Sequence, residues 1–142
     1  MALKINFFFE GTKRFAIRKN DTIQWIGRVA EHYGARIARL RIIHCSDEVL
    51  WEMNRNYLDH DTYTDIITFP FSEPGDPVEG ELYISTDRVK ENAAQEGVSF
   101  EDEWHRVIVH GILHLLGYDD QSGEQLKRMR EQEDYCLTLR TL

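Results

Sequence analysis

Residues 110–120 read His-Gly-Ile-Leu-His-Leu-Leu-Gly-Tyr-Asp-Asp and close a run that is rich in apolar residues. This run predicts a helix over residues 100–116, because helical spacing places apolar side chains on nearly all of its faces. The apolar side chains are Val107, Ile108, Val109, Ile112, Leu113, Leu115 and Leu116. Such a pattern is typical of a helix in a protein interior, so we expect this helix to be buried.

Two histidines and an aspartate near the end of this helix have the spacing of metal ligands. His110 and His114 lie one turn apart on the same helical face, about 6 Å from each other along the axis. Gly117 is expected to end the helix in a left-handed conformation, after which Asp120 can bring its carboxylate back to that face. We therefore predict a metal site formed by His110, His114 and Asp120.

The alternative is that these histidines are hydrogen-bonded core residues, as single histidines in buried helices often are. Two imidazoles four residues apart, followed by a glycine turn and a carboxylate, favour the metal site. The argument does not extend to His105, which lies five residues before His110 and points away from its face. We expect His105 to be a surface or capping residue.

The same spacing occurs in the metzincin peptidase pattern H-E-x-x-H-x-x-G-x-x-H, with Asp120 at the position of the last histidine. One position differs in its chemistry. Gly111 stands where these peptidases carry the glutamate that acts as general base. The pattern therefore predicts a metal-dependent hydrolase and argues against a metallopeptidase.

The length and the cysteine content are typical of a small intracellular enzyme. The 142 residues are enough for one domain, residues 1–142, that buries a core without disulfides. Cys45 and Cys136 are isolated in the sequence, and we expect them to be buried free thiols in a reducing compartment. No leader segment and no apolar run long enough to span a bilayer is recognisable, so we expect a soluble cytoplasmic protein without a membrane partner.

The net charge of −8 argues against a uniformly basic nucleic-acid binder. Charge is nevertheless unevenly distributed, with basic residues concentrated at 13–19 and 36–41 and acidic residues at 73–81 and 96–103. Such segregation can give an acidic protein a basic face, although charge clusters are more often solvated surface. Composition alone thus leaves the class of partner open.

Hydrophobic periodicity predicts an alternation of strands and helices along the chain. Strands are predicted at residues 3–10, 38–45, 65–71 and 81–85, with a further short strand at 14–18 and a loop at 71–80. Helices are predicted at 22–34, after Ser46 with Leu50, Met53 and Tyr57, at about 86–96, at 100–116, and after Ser122 with Leu126 and Met129. Expected N-terminal caps are Asn20 or Asp21, Ser46, Ser99 with Asp102, and Ser122 with Gln125.

This order of elements indicates an α+β fold. Strands occur early and in the middle of the chain, with helices between and after them. We expect a single-domain layer sandwich in which helices cover a small mixed β-sheet, with the metal site at the end of a buried helix. Pro70 cannot donate to a sheet ladder, so its strand either ends there or lies at an edge.

Two segments together carry a resemblance to a known family. Residues 54–69 read Asn-Arg-Asn-Tyr-Leu-Asp-His-Asp-Thr-Tyr-Thr-Asp-Ile-Ile-Thr-Phe and match the pattern N-x-x-Y-R-x-x-D-x-P-T-D-V-L-S-F. Residues 110–119 match the pattern H-G-x-L-H-L-x-G-Y-D-H up to its last position. With these motifs the chain resembles, over nearly its whole length, the YbeY endoribonucleases, which are bacterial factors of ribosomal RNA maturation.

The chain departs from the family pattern at two functional positions. Asp120 replaces the third histidine, and two histidines with one carboxylate still suit zinc or another divalent ion. Leu58 replaces an arginine that acts on the RNA, and leucine cannot pair with phosphate. Arg55 lies one helical turn before Leu58 and is either a substitute for that guanidinium or a solvated surface charge.

The resemblance implies a metal-dependent endoribonuclease that cleaves single-stranded RNA during ribosomal RNA processing and ribosome quality control. It implies one divalent ion per chain, most simply zinc, and as partners ribosomal RNA and the ribosome or its proteins, with no DNA. Beyond the metal ligands, Asp65, Asp119 and Arg55 are the candidate catalytic residues. Two alternatives remain open, a metallopeptidase-like hydrolase and a non-catalytic ribosome assembly factor with a structural metal.

Overall fold

A computed structural model describes residues 4–58 and 64–141, with the side chains of Tyr57 and Leu58 outside the description. The four strands of the described residues are β1 Ile5–Glu10, β2 Ile37–Cys45, β3 Ile66–Pro70 and β4 Val78–Ser85. The five helices of the same ranges are α1 Lys19–His32, α2 Asp47–Leu58, α3 Thr86–Glu96, α4 Phe100–Leu115 and α5 Gly123–Leu137. Residue 3 of the first predicted strand lies outside these ranges.

The strands form one mixed sheet in the order β1-β2-β4-β3. β1, β2 and β4 are parallel, while β3 is antiparallel to β4 and lies at the edge of the sheet. Pro70 is the last residue of this edge strand, as its missing N–H predicts. The α+β class and the small mixed sheet covered by helices are therefore confirmed.

Helix α4 packs against the sheet at very short range because two glycines face the contact. A Cβ added to Gly111 would lie 2.7 Å from Ile66 Cδ1 and 2.7 Å from Leu82 Cδ2. A Cβ on Gly80 of β4 would lie 2.8 Å from a methyl group of Leu115. A side chain at Gly111 would therefore force Ile66 and Leu82 to shift, which disfavours a general base at the position after the first histidine.

We expect Gly111→Ala to lower the free energy of unfolding by about 1–3 kcal/mol, because the added methyl group overpacks the contact with β3 and β4. Urea denaturation measures this loss. Gly123→Ala is the matched control, since nothing lies within 4 Å of a Cβ at that helical position and alanine favours helix. Equal stability of the two variants would contradict the close approach at Gly111.

Several predicted boundaries and caps are confirmed. The Oγ atoms of Ser46, Ser99 and Ser122 accept the backbone N–H three residues later. Ser122 and Gln125 form a full capping box, and α3 has the predicted limits. Both cysteines are buried and free.

The start of α1 corrects two predictions. The strand expected at 14–18 is absent, because Phe15 and Ile17 pack against the core from an irregular segment and do not extend the sheet. Neither Asn20 nor Asp21 caps the helix, which already begins at Lys19 with Arg18 at the cap position and no side-chain cap bond. Phe15 instead packs edge-on against Trp104, with ring centroids 5.4 Å apart.

The predicted loop at 71–80 is too long at its C-terminal end. β4 begins at Val78, which pairs with Ile37 of β2, and Gly80 lies within the strand opposite Leu40. Glycine is a weak strand former, so the sequence pattern alone placed the strand start after it. The approach of Leu115 explains why glycine is needed inside this strand.

His105 is fully buried, so the prediction of a surface or capping residue is wrong. Its Nδ1 accepts a hydrogen bond from Arg140 Nη1 at 3.0 Å, and its ring packs 4.8 Å from that of Trp25. The face of α4 opposite the metal ligands is covered by α1 and the C-terminal segment, which periodicity within one helix cannot reveal. Burial, followed by the charge of Arg140, lowers the pKa of His105 to about 4.

His44 on β2 is a second histidine that the core keeps neutral. Its Nδ1–H donates to the Phe8 carbonyl at 2.9 Å, and its Nε2 accepts from Trp104 Nε1 at 2.9 Å. Burial lowers the pKa of His44 to about 4. Both ring nitrogens are thus satisfied only in the neutral form.

We expect the free energy of unfolding to decrease as the pH falls from 6.5 to 4. In that window the unfolded chain binds protons on His44 and His105 that the folded chain does not, which costs about 3 kcal/mol per group. Urea denaturation at several pH values measures the decrease, and His105→Gln should make it smaller. His32→Gln removes an exposed histidine and should leave it unchanged. Identical pH profiles for all three proteins would contradict the assignment.

Among the described residues, no helix is both long enough and apolar enough to cross a membrane.

Candidate metal centre

The predicted ligands converge at the C-terminal end of α4. The Nε2 atoms of His110 and His114 lie 3.1 Å apart. Oδ2 of Asp120 lies 3.3 Å from His110 Nε2 and 3.4 Å from His114 Nε2. Three donor atoms from two turns of helix and the following loop thus form a small triangle that could hold a metal ion.

The triangle fits a first-row divalent ion. Metal–ligand distances of about 2.0–2.1 Å in a tetrahedral site require ligand atoms about 3.3–3.4 Å from one another, close to the three observed distances. Two imidazole nitrogens and one carboxylate oxygen are a donor set that zinc accepts. Three protein ligands leave one tetrahedral position for solvent or substrate.

The turn after α4 places Asp120 over the histidines. Gly117 has a φ of +103°, its N–H donates to the His114 carbonyl at 3.0 Å, and the Tyr118 N–H donates to the Leu113 carbonyl at 3.0 Å. This pair of bonds is the Schellman ending of a helix, which requires a residue with positive φ and therefore favours glycine. The predicted chain reversal at Gly117 is confirmed.

Glu133 of α5 orients His110, the first predicted ligand, and was not among the predicted site residues. The His110 Nδ1–H donates to Glu133 Oε2 at 2.6 Å, which leaves the Nε2 lone pair directed at the other two donors. The second oxygen of Glu133 accepts from Arg106 Nη1 at 3.1 Å, and the side chain is 6% exposed. Metal-binding histidines commonly donate their other N–H to a carboxylate in this way.

Electrostatics around His110 favour a positive group at this position. Burial by itself would lower the pKa of His110, but the hydrogen bond and charge of Glu133 outweigh it, and Asp65 and Asp120 add to their effect. The pKa of His110 is therefore raised above its ordinary value. A cation in the triangle would experience the same negative surroundings.

A signal for Glu133 was present in the spacing of α5. Met129, Glu133 and Cys136 follow one another at helical spacing, and all three are buried. An acidic residue on the apolar face of an amphipathic helix requires a buried partner, and an imidazole supplies one. Leu126, which the pattern assigned to the apolar face, is instead 54% exposed.

Asp65 lies close to the triangle. It precedes β3 and lines the same cleft as the three predicted ligands. Its Oδ2 accepts a hydrogen bond from Asn92 Nδ2 at 3.3 Å. Burial raises the pKa of Asp65, and the charge on His110 opposes the increase. The structure therefore places this carboxylate within electrostatic reach of the ligands.

Asp119 and Arg55 are not among the described residues that line the cleft. The carboxylate of Asp119 is exposed and accepts the backbone N–H of Asp120 at 2.9 Å, so it contacts the loop that carries the third predicted ligand. The Arg55 guanidinium lies 4.5 Å from the ring centroid of Trp51. The catalytic roles predicted for Asp119 and Arg55 stay predictions. The consequence of Leu58 also stays a prediction, because its side chain is outside the described part of the structure.

The triangle opens into a cleft of about 1310 Å³ between α4, α5 and β3. Carboxylates, basic groups and apolar side chains all contribute to its walls. Its volume is above the range of about 300–1,000 Å³ that is typical of small-molecule pockets.

Comparisons with known proteins give one consistent result. A family model described as Endoribonuclease YbeY matches residues 9–140. A Bacteroides thetaiotaomicron protein of that name is 45% identical over 138 residues, which cover 97% of this chain and 100% of the relative. One from Cytophaga hutchinsonii is 45% identical over 135 residues, 94% of each chain. The solution structure of TM1509 from Thermotoga maritima has a TM-score of 0.68 at 27% identity and covers 95% of this chain and 87% of that one.

Proposed function

Because the chain belongs to the endoribonuclease YbeY family, we propose that it is a metal-dependent, single-strand-specific endoribonuclease of ribosomal RNA processing. The family membership supports an enzyme that cleaves phosphodiester bonds of RNA. The proposal adds one divalent ion per chain, zinc in the first instance, and a cytoplasmic role in ribosomal RNA maturation and quality control. Its partners would be ribosomal RNA and the ribosome or its proteins.

The observation that carries the metal dependence is the triangle of His110, His114 and Asp120, with donor atoms 3.1–3.4 Å apart. When bound there, a divalent ion would supply a Lewis acid that polarises a phosphoryl oxygen and activates water near neutral pH. A metal of this kind removes the need for the glutamate that Gly111 replaces. The packing of Gly111 against Ile66 and Leu82 argues against the peptidase alternative.

The protein groups around the triangle would prepare it for this chemistry. Glu133 holds His110 in the tautomer whose Nε2 is free to bind metal. Asp65, on the cleft wall and with a raised pKa, would accept and hold a proton near the scissile phosphate. Asp119 would position Asp120 through its backbone N–H, and Arg55 would contact the RNA from α2.

RNA digestion with and without a chelator tests this function. Purified protein should cut a single-stranded RNA, lose the activity after dialysis against a chelator, and regain it with a divalent ion. Activity that persists after verified metal removal would overturn the mechanism. Cleavage of an unfolded protein substrate with no effect on RNA would instead support the peptidase alternative.

We expect Glu133→Gln to weaken metal binding or RNA cleavage by about 10- to 100-fold, because the amide supports the imidazole of His110 less well than a carboxylate. Metal affinity is measured by competition with a chromophoric chelator. Glu124→Gln, an exposed residue of the same helix that does not line the cleft, is the matched control. Unchanged affinity in Glu133→Gln would show that the carboxylate serves only the packing of α5.

A further inference from the structure

The cleft beside the metal centre contains two basic residues that the proposed chemistry does not use. Basic side chains that line the cleft in the described residues are Arg106, Lys127 and Arg130. Arg106 is 17% exposed and is held by Glu133 at 3.1 Å and Asp134 at 2.6 Å. It is therefore occupied by the protein's own carboxylates.

Unlike Arg106, the side chains of Lys127 and Arg130 are available to bind an anion from outside the protein. Arg130 is 51% exposed, and its ion pairs are long, 3.7 Å to Glu96 and 4.0 Å to Glu133. Exposed pairs of this kind contribute little and exchange easily for a better anion. Lys127 is exposed and forms no ion pair within residues 4–58 and 64–141.

These two cations lie on the turns of α5 that precede Glu133, and both line the cleft. Glu133 contacts His110, and Arg130 and Lys127 precede it on α5 by three and six residues. At the rise of an α-helix they lie about 4.5 Å and about 9 Å from Glu133 along the axis. The side of α5 that lines the cleft thus carries two positive charges on the turns between Glu133 and the start of the helix near Asp120. Leu126 lines the cleft on the same side and is 54% exposed.

We propose that Lys127 and Arg130 bind backbone phosphates of single-stranded RNA and lead the strand along α5 to the metal centre. This proposal rests on the proposed function. A net charge of −8, with Asp65, Glu103 and Glu131 also lining the cleft, makes the rest of the surroundings unfavourable for a polyanion. Phosphates that enter this cleft therefore need exposed basic side chains as partners, and Lys127 and Arg130 are such side chains. The exposed apolar side chain of Leu126 can contact a sugar or base of the same strand. Phosphate binding confers no base preference.

The test measures binding separately from cleavage. A fluorescent 2′-O-methyl oligoribonucleotide is titrated with the metal-loaded protein at several salt concentrations, and its intactness is checked on a gel. For single strands each phosphate contact contributes about 0.7 to the slope of log K against log salt. The double variant Lys127→Gln/Arg130→Gln should flatten that slope by about 1.4, equally for different base sequences. Arg128→Gln, an exposed residue of the same helix that does not line the cleft, should leave the slope unchanged.

Cleavage of ordinary RNA by the same variants completes the test. The double variant should raise KM with little change in kcat, because phosphate contacts away from the reacting bond act on ground and transition states alike. Equal slopes for the double variant and Arg128→Gln would overturn the proposal. So would an unchanged KM. Wild-type protein that binds the oligonucleotide through these residues but never cuts RNA would overturn the nuclease function and leave the binding surface standing.

Discussion

His114→Ala is expected to abolish stoichiometric metal binding and to reduce RNA cleavage to the level seen with chelator, while the protein stays folded. The change removes one of three donor atoms that lie within 3.1–3.4 Å of one another, and two ligands do not retain a divalent ion against competing water. The core that surrounds Ile108 and Ile112 is large enough to stand without metal. Elemental analysis, RNA digestion and circular dichroism measure the three expectations.

His110→Ala should have the same effect on metal but a larger effect on stability. Glu133 is buried and hydrogen-bonds His110, so the alanine leaves that carboxylate with one partner fewer, at a cost of about 1–3 kcal/mol. His114→Ala is therefore the cleaner variant, and His32→Ala provides an exposed histidine as control. If either ligand variant retained one equivalent of metal, the ligand assignment would be wrong.

Replacing Asp120 is expected to change which divalent ion the site prefers. A carboxylate oxygen is harder than an imidazole nitrogen and adds a negative charge, so the wild-type site should tolerate hard ions such as manganese. Asp120→His should keep the fold and shift the metal preference toward zinc. Asp120→Ala should lose affinity for every divalent ion, because a donor atom 3.3 Å from His110 Nε2 is removed.

Competition titrations with zinc and manganese, carried out on both variants and the wild type, measure this preference. Asp119→Ala is the informative comparison, because its exposed carboxylate is adjacent in sequence but bonds the backbone of Asp120. If Asp120→Ala bound metal with wild-type affinity while Asp119→Ala lost metal affinity, the third metal ligand would be Asp119 and not Asp120.

The meeting of His110, His114 and Asp120 could be predicted because every signal for it is local. Helical periodicity sets the direction of the two imidazoles, and one glycine with positive φ reverses the chain. Glu133 could not be placed in the same way, since it reaches His110 from a helix that begins later in the chain. The spacing of α5 indicates that Glu133 is buried and has a partner, but which partner it has depends on how α5 packs on α4, and no pattern within either helix specifies that.

Burial explains the other differences between prediction and structure. The sequence suggests that His105 faces away from the ligands, which is correct, but the opposite face of α4 is covered by Trp25 and Arg140 and does not reach solvent. Gly80 weakens the strand pattern of β4, since glycine is a weak strand former. A single sequence does not show that this glycine makes room for Leu115. Partners distant in sequence decide both cases.

X-ray absorption spectroscopy of the purified metal-loaded protein tests the claim of an open metal site that is held by two imidazoles and one carboxylate. The spectrum should contain two histidine nitrogens and light oxygen scatterers from Asp120 and at least one solvent molecule. A closed shell of four protein ligands, or sulfur in the shell, would contradict the claim and indicate a structural metal.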